Sequence, residues 1–201
     1  MGETSSEGRW DRTASVDERR NEILKSLSQR LRKTKLSKLN VNDIAEDLNL
    51  VRGNIYYYFK NKNDIFFHCH MKCIESSLVA LDEVAAMDGS AEERLSALLR
   101  RHIDVLTSSP FSGVFLADIS ELSSSQRAEY VSLRDRFEEG VRALISEGIE
   151  AGQFRAQDVS LAGFTILGAI NWIPKWYDAD GQLSAAAVAA GMADMLVRGL
   201  R

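Results

Sequence analysis

Two groups of side chains in this sequence have types and spacings that could do chemistry. The first is NVNDIAEDLNLVRGNIYYYFKNK at residues 40–62, which gathers Arg52, Asn54, Tyr57 and Tyr58. On a helix these fall on the side left over once Ile55 and Phe59, at i and i+4, face inward, with Tyr56 at the margin and expected to pack in the core. Arginine suits the paired acceptors of a guanine edge, asparagine an adenine edge, and a tyrosine ring a thymine methyl or a sugar, so Arg52, Asn54 and Tyr57 are candidates to read bases. Asn40 and Asn42 lie where a neighbouring phosphate can be held, and Lys62 opens a helix whose free amides favour an anion.

The second group is Cys69 and Cys73 at i, i+4, flanked by His68 and His70. These are soft-metal ligand types, but a closed zinc site takes four ligands and no other motif supplies the rest. They read instead as small apolar residues on the buried face of a helix, and no metal or cofactor is expected. His102 lies close to the apolar side of its own helix, where a hydrogen-bonded core imidazole is the commoner role and a ligand contact the other. There is no P-loop, no nucleophile elbow and no strand-borne GxGxxG, and the carboxylates spread along solvated faces. An enzyme is not expected.

The net charge of −4 conceals a division. Residues 19–62 carry eleven Lys or Arg against four Asp or Glu, a net +7, while the remainder carries fourteen against twenty-five, a net −11. A basic front on an acidic body is the layout of a protein that grips phosphate at one end. The longest apolar run falls far short of the ~20 residues of a membrane span, and nothing resembles a secretory leader, so the expectation is a cytoplasmic protein without membrane contact.

The elements that must position these residues are helical throughout. Residues 1–16 are polar and aperiodic and read as a flexible tail, in which Arg9 and Arg12 are placed to form a minor-groove arm. A first helix over 17–32 shows Ile23, Leu27 and Leu31 at i, i+4 and i+8. Asn40 and Asp43 open a short helix carrying Ile44, Ala45 and Leu48, Asn49 makes a left-handed turn, and a second short helix runs from Arg52 to Tyr58. Two short helices around a tight turn form a helix-turn-helix, whose second member fits a major groove. Longer helices follow over 61–87, 91–108 and 123–151, with an apolar stretch at 111–122 between the last two. The final pair, 159–176 and 184–200, carries small residues and apolar residues on more than one side, which is explained by burial against a second copy. Pro174 should distort the first of that pair.

The run DIAEDLNLVRGNIYYYFKNKNDI resembles the helix-turn-helix signature of the TetR family of bacterial transcriptional regulators, through Asp43, Ile44, Ala45, Leu50, Gly53, Ile55, Tyr56, Phe59 and Lys62. Asn49 stands where that family usually has glycine, and Val51 where it usually has a small hydroxyl residue. The segment NWIPKWYDADGQLS resembles the ligand-binding and dimerisation half of those TetR regulators that control fatty-acid and steroid catabolism and sense acyl-CoA thioesters. The resemblance implies an all-α chain of about nine helices: a helix-turn-helix DNA-binding domain at 17–61, then a larger bundle at 62–201 that binds ligand and dimerises through its last two helices. It also implies that Tyr58 and Lys62 contact phosphate.

A two-fold homodimer would set two recognition helices ~34–36 Å apart on a palindromic double-stranded operator. A small lipophilic effector, for which the resemblance points to an acyl-CoA, would fill a pocket among the middle helices and release the DNA. Its expected lining is Phe111, Phe115, Leu116, Ile119, Phe137 and Trp172, with His102 as polar contact. Two alternatives stand beside this reading: a multidrug-sensing regulator of the same fold, and a helical DNA-binding protein without an effector.

Overall fold

The computed structural model describes residues 15–155 and 158–201; the Arg9 and Arg12 arm lies outside the described residues. Nine α-helical segments and no strand occur among them. Helix α1, Val16–Leu31, begins slightly earlier than expected because Ser15 and Glu18 cap reciprocally. The Glu18 N–H donates to Ser15 Oγ at 3.2 Å and the Ser15 N–H to Glu18 Oε2 at 2.6 Å. Its apolar stripe, Ile23, Leu24, Leu27 and Leu31, is buried.

A single 3-10 turn at Leu36–Lys38 leads to α2, Val41–Asp47, and α3, Arg52–Tyr58. Helices of seven residues do not persist alone, since nucleation costs more than so few bonds return. Burial of Ile44, Ala45, Ile55 and Phe59 in the same core as the α1 stripe holds them. Helix α4, Lys62–Ala85, is capped by Asn61 and packs on α1, where the Cys69 thiol donates to the Leu24 carbonyl at 3.4 Å.

Helix α5, Ala91–Ser108, matches its expected span. The apolar stretch after it does not form a helix: it is two 3-10 turns, Ser112–Leu116 and Ile119–Glu121. The cause is a close approach to α1. The Gly113 N–H donates to Ser28 Oγ at 3.0 Å, and a Cβ on Gly113 would sit 2.0 Å from the Ser28 carbonyl oxygen. Helix α6, Ser124–Glu150, stops before Gly152, whose φ of 70° lies in the left-handed region.

The penultimate helix ends sooner than the sequence pattern suggests. It divides into α7, Val159–Asn171, and a single turn α8, Ile173–Trp176, because Pro174 has no N–H to continue the ladder. Helix α9, Ala185–Arg198, lies along α5, while α6 packs on α4, α5 and α7. Among the described residues no helix is long and apolar enough to cross a membrane.

Candidate functional site

The turn between α2 and α3 is made by Asn49 at φ 52°, a conformation asparagine tolerates, and the Leu50 N–H closes back on the Ala45 carbonyl at 2.8 Å. Asn40 caps α2: its Oδ1 accepts from the Asp43 N–H at 3.1 Å while Asp43 Oδ2 accepts from the Asn40 N–H at 2.7 Å. Asn42 is exposed on the first turn. Val51 occupies the cap position of α3 without a polar side chain, and Asn54 compensates by accepting the Val51 N–H on Oδ1 at 3.3 Å. Asn54 is exposed, and its oxygen keeps a second lone pair and its amide both donors.

Arg52 and Tyr56 form a pair on one face of α3. The guanidinium donates to Tyr56 Oη at 3.1 Å and 2.7 Å and lies 5.1 Å from the ring centre. Tyr56 was expected in the core; at 39 % exposure it is instead a surface brace for Arg52, because i+4 spacing brings the ring beneath the guanidinium. Tyr57 is 78 % exposed, and half-buried Tyr58 meets its ring edge-on at 4.9 Å. Lys62 also departs from expectation: its ammonium donates to the Leu36 and Leu39 carbonyls at 2.6 Å and 3.0 Å, so two of its three donors tie the start of α4 to the preceding turn.

Helix α3 is aimed by α1. Arg20 donates to the Tyr58 carbonyl at 2.8 Å and lies 4.4 Å from the centre of the Phe59 ring, placing a cation at the negative end of α3. Arg30 binds both oxygens of Asp47, at 2.7 Å and 2.8 Å, and Ser26 Oγ donates to Oδ2 at 2.6 Å. Partial burial of Asp47 opposes ionisation, but the bonds from Arg30 and Ser26 outweigh it and hold the carboxyl below its ordinary range. The same bond raises Arg30.

Between the middle helices lies a cavity of about 730 Å³, a size that takes a drug-sized ligand. Of the expected lining, His102, Phe115, Leu116, Ile119 and Phe137 face it. Two others do not: Phe111 is half-buried against the core away from the lining, and Trp172 is turned outward at 63 % exposure, because the helix breaks at that residue. His102 Nδ1 lies 2.9 Å from Ser77 Oγ, and the same hydroxyl lies 3.2 Å from the Cys73 carbonyl. The ring rests 4.5 Å from Phe137; burial lowers its pKa to about 4 despite a bond to Asn171.

The cavity also recruits residues that sequence reasoning left out: His70, Cys73, Ser77, Tyr130, Arg134, Asn171 and Lys175. His70 stood out only as a neighbour of the cysteines, and Tyr130 lies within the expected 123–151 helix. Cys69 and Cys73 are buried free thiols, and burial pushes Cys73 up to about 12. Charge lies on Asp118, Arg134, Glu138 and Lys175; Glu138 pairs with Arg142, and the Lys175 ammonium donates to the Leu116 carbonyl at 3.3 Å.

The 3-10 segment between α5 and α6 joins the two regions. Phe115, Leu116, Ala117, Asp118 and Ile119 wall the cavity. From the same segment the Gly113 N–H reaches Ser28 of α1, Ser112 Oγ accepts from Arg32 at 2.6 Å, and the Glu121 carbonyl accepts from Asn63 of α4 at 2.7 Å. Leu161 of α7 and Met195 of α9 are exposed by 66 and 67 %, and Phe164 of α7, which also lines the cavity, by 58 %.

Comparison with known proteins agrees with this geometry. Residues 36–69 match the family described as bacterial regulatory proteins, tetR family, and residues 88–200 match the tetracyclin repressor-like C-terminal domain. The chain is 25 % identical over 169 residues to the fatty acid metabolism regulator protein of Bacillus subtilis, covering 80 % of this chain and 84 % of that one. It is 24 % identical over 194 residues to the HTH-type transcriptional repressor KstR2 of Rhodococcus jostii, covering 94 % and 95 %. The crystal structure of the TetR family transcriptional regulator PfmR from Thermus thermophilus superposes with a TM-score of 0.82 at 29 % identity, covering 89 % and 98 %. With a C-terminal family match over more than half its length and a helix-turn-helix match ahead of it, this chain belongs to the TetR family of bacterial transcriptional regulators.

Proposed function

We propose that the chain is a cytoplasmic homodimeric repressor, with a DNA-binding domain at 17–61 and a ligand-binding and dimerisation domain at 62–201, released from a palindromic operator by an acyl-CoA thioester. One observation carries the reading: the segment that walls the cavity is the segment bonded to α1 and α4. A ligand that displaces Phe115 to Ile119 pulls on the helices that aim α3. Moving an operator from mostly bound to mostly free takes ~5.5 kcal/mol of preference for the released state. The exposed Arg52 and Tyr57 and the half-buried Tyr58 supply base and backbone contacts on α3, and Asn40 and Asn42 the approach to phosphate from α2.

The thioester draws support from the mixed lining. Aromatic and aliphatic walls suit an acyl chain, while Arg134 and Lys175 suit the phosphates of the coenzyme. The name of the Bacillus relative, a fatty acid metabolism regulator, points the same way. A cationic drug would meet Glu138, already paired with Arg142, and Asp118, which accepts the Ser120 N–H. The exposed apolar residues of α7 and α9 favour a partner copy on that face. The test is fluorescence anisotropy on duplex DNA from the region upstream of the gene, with decanoyl-CoA, free CoA and a cationic dye added in turn. Release by decanoyl-CoA alone is the expected result; release by the dye alone transfers the protein to the multidrug class, and a monomer by light scattering removes the dimer.

A further inference from the structure

Two buried imidazoles face the cavity, and they are treated differently. His102 is held by Ser77 and Asn171. His70 is 2 % exposed and faces the same cavity, yet neither of its ring nitrogens has a hydrogen-bond partner among the described residues. Its surroundings are rings: Phe66 at 4.7 Å, Tyr130 at 4.7 Å and Phe115 at 5.8 Å. Burial drives its pKa down to about 3, so the ring is neutral and offers one donor and one acceptor at neutral pH. Left unpaired in an aromatic box, both are costly.

An ion is a poor complement, because it would lose its hydration without a countercharge beside it. A hydroxyl or ketone oxygen fits, since it pairs with a neutral imidazole and brings no charge. We infer that His70 reads an uncharged oxygen on the apolar part of the effector, so that the cavity selects an oxygenated acyl chain over a plain one of equal length. This rests on the cavity being the effector site, and it adds the class of chain. His70 is thereby a specificity residue: a site built to pair an oxygen rejects the analogue that lacks it, because its own polar groups are then stranded.

The test is calorimetry on the intact protein with decanoyl-CoA and with decanoyl-CoA bearing a ketone or hydroxyl at successive carbons. One position of oxygen should bind about tenfold more tightly than the plain chain, a typical gain for a buried hydrogen bond. His70→Leu should erase that preference, so that plain and oxygenated chains bind within about twofold of each other, and His70→Gln, which keeps a donor and an acceptor, should restore part of it. Equal binding of plain and oxygenated chains, or a preference that survives His70→Leu, overturns the inference. Should no thioester bind, the coenzyme reading falls by itself, and the His70 ring nitrogens decide this point. Their long-range proton–nitrogen correlations should shift with 2-octanone and stay with toluene; no shift with the ketone overturns it.

Discussion

On the exposed faces of α2 and α3, Asn40, Asn54 and Arg52 are positioned by partners three or four residues away: Asn40 by Asp43, Asn54 by the Val51 amide, Arg52 by Tyr56. Around the cavity the partners come from elsewhere in the chain, as with His102 on α5 and Ser77 on α4, or Lys175 beyond α7 and the Leu116 carbonyl. The first arrangement leaves charge in water, where local hydrogen bonds suffice to orient it. The second removes polar groups from water, which is tolerable only where tertiary packing delivers a partner or suppresses the charge. The surface end is thus tuned by charge and capping, and the buried end by desolvation.

Acid should break that contrast most strongly at the buried end. His70 and His102 hold folded-state pKa values of about 3 and about 4 against 6.5, so the unfolded chain binds protons that the native state refuses. Their depressed values leave native stability intact above 6.5 and remove it as pH falls from 6.5 toward 4, by roughly 2 kcal/mol per ring at pH 5. Urea unfolding at pH 7 and pH 5 should record the loss, and His102→Gln should shrink it.

Next in size is the surface end. Arg52→Ala with Tyr58→Ala should weaken operator binding about a hundredfold, from ~1–3 kcal/mol per lost contact, with light-scattering mass unchanged. Unaltered affinity at fixed salt would remove both residues from the interface.

Gly113→Ala strikes the joint between the two ends. Its methyl meets a backbone oxygen that cannot turn aside, so about 1–3 kcal/mol of stability should be lost by denaturant titration, with weaker effector-driven release in what remains folded. The smallest effect falls on the α1–α2 clamp. Asp47→Asn should cost about 1 kcal/mol at neutral pH, a solvent-screened value for a partly exposed pair. Because the Asp47 pKa is depressed, its contribution is present above 3.8 and lost as pH falls through the lower folded value, so the variant and the natural chain should converge in strong acid.

Much of the front was readable in advance, including the turn at Asn49 and the cap at Asn40, because each depends on residues within four positions. Tyr56 and Lys62 were misread for the converse reason: whether a ring at the margin is covered, and which carbonyls an ammonium meets, depends on what packs alongside. In the cavity, Phe115 and Phe137 were accessible as bulky residues on apolar stripes. His70 and Tyr130 were not, since facing a void and facing a neighbouring helix leave the same periodicity.

By itself the sequence determined an all-helical chain, the helix-turn-helix and its basic face, because apolar period, caps and charge are local and additive along a helix. Tertiary structure alone decided that Ser112–Leu116 forms a 3-10 turn against α1, that Trp172 points outward, and that His70 is left unpaired beside a cavity. Those outcomes depend on close packing and on water excluded by distant residues, quantities that no short window of sequence contains.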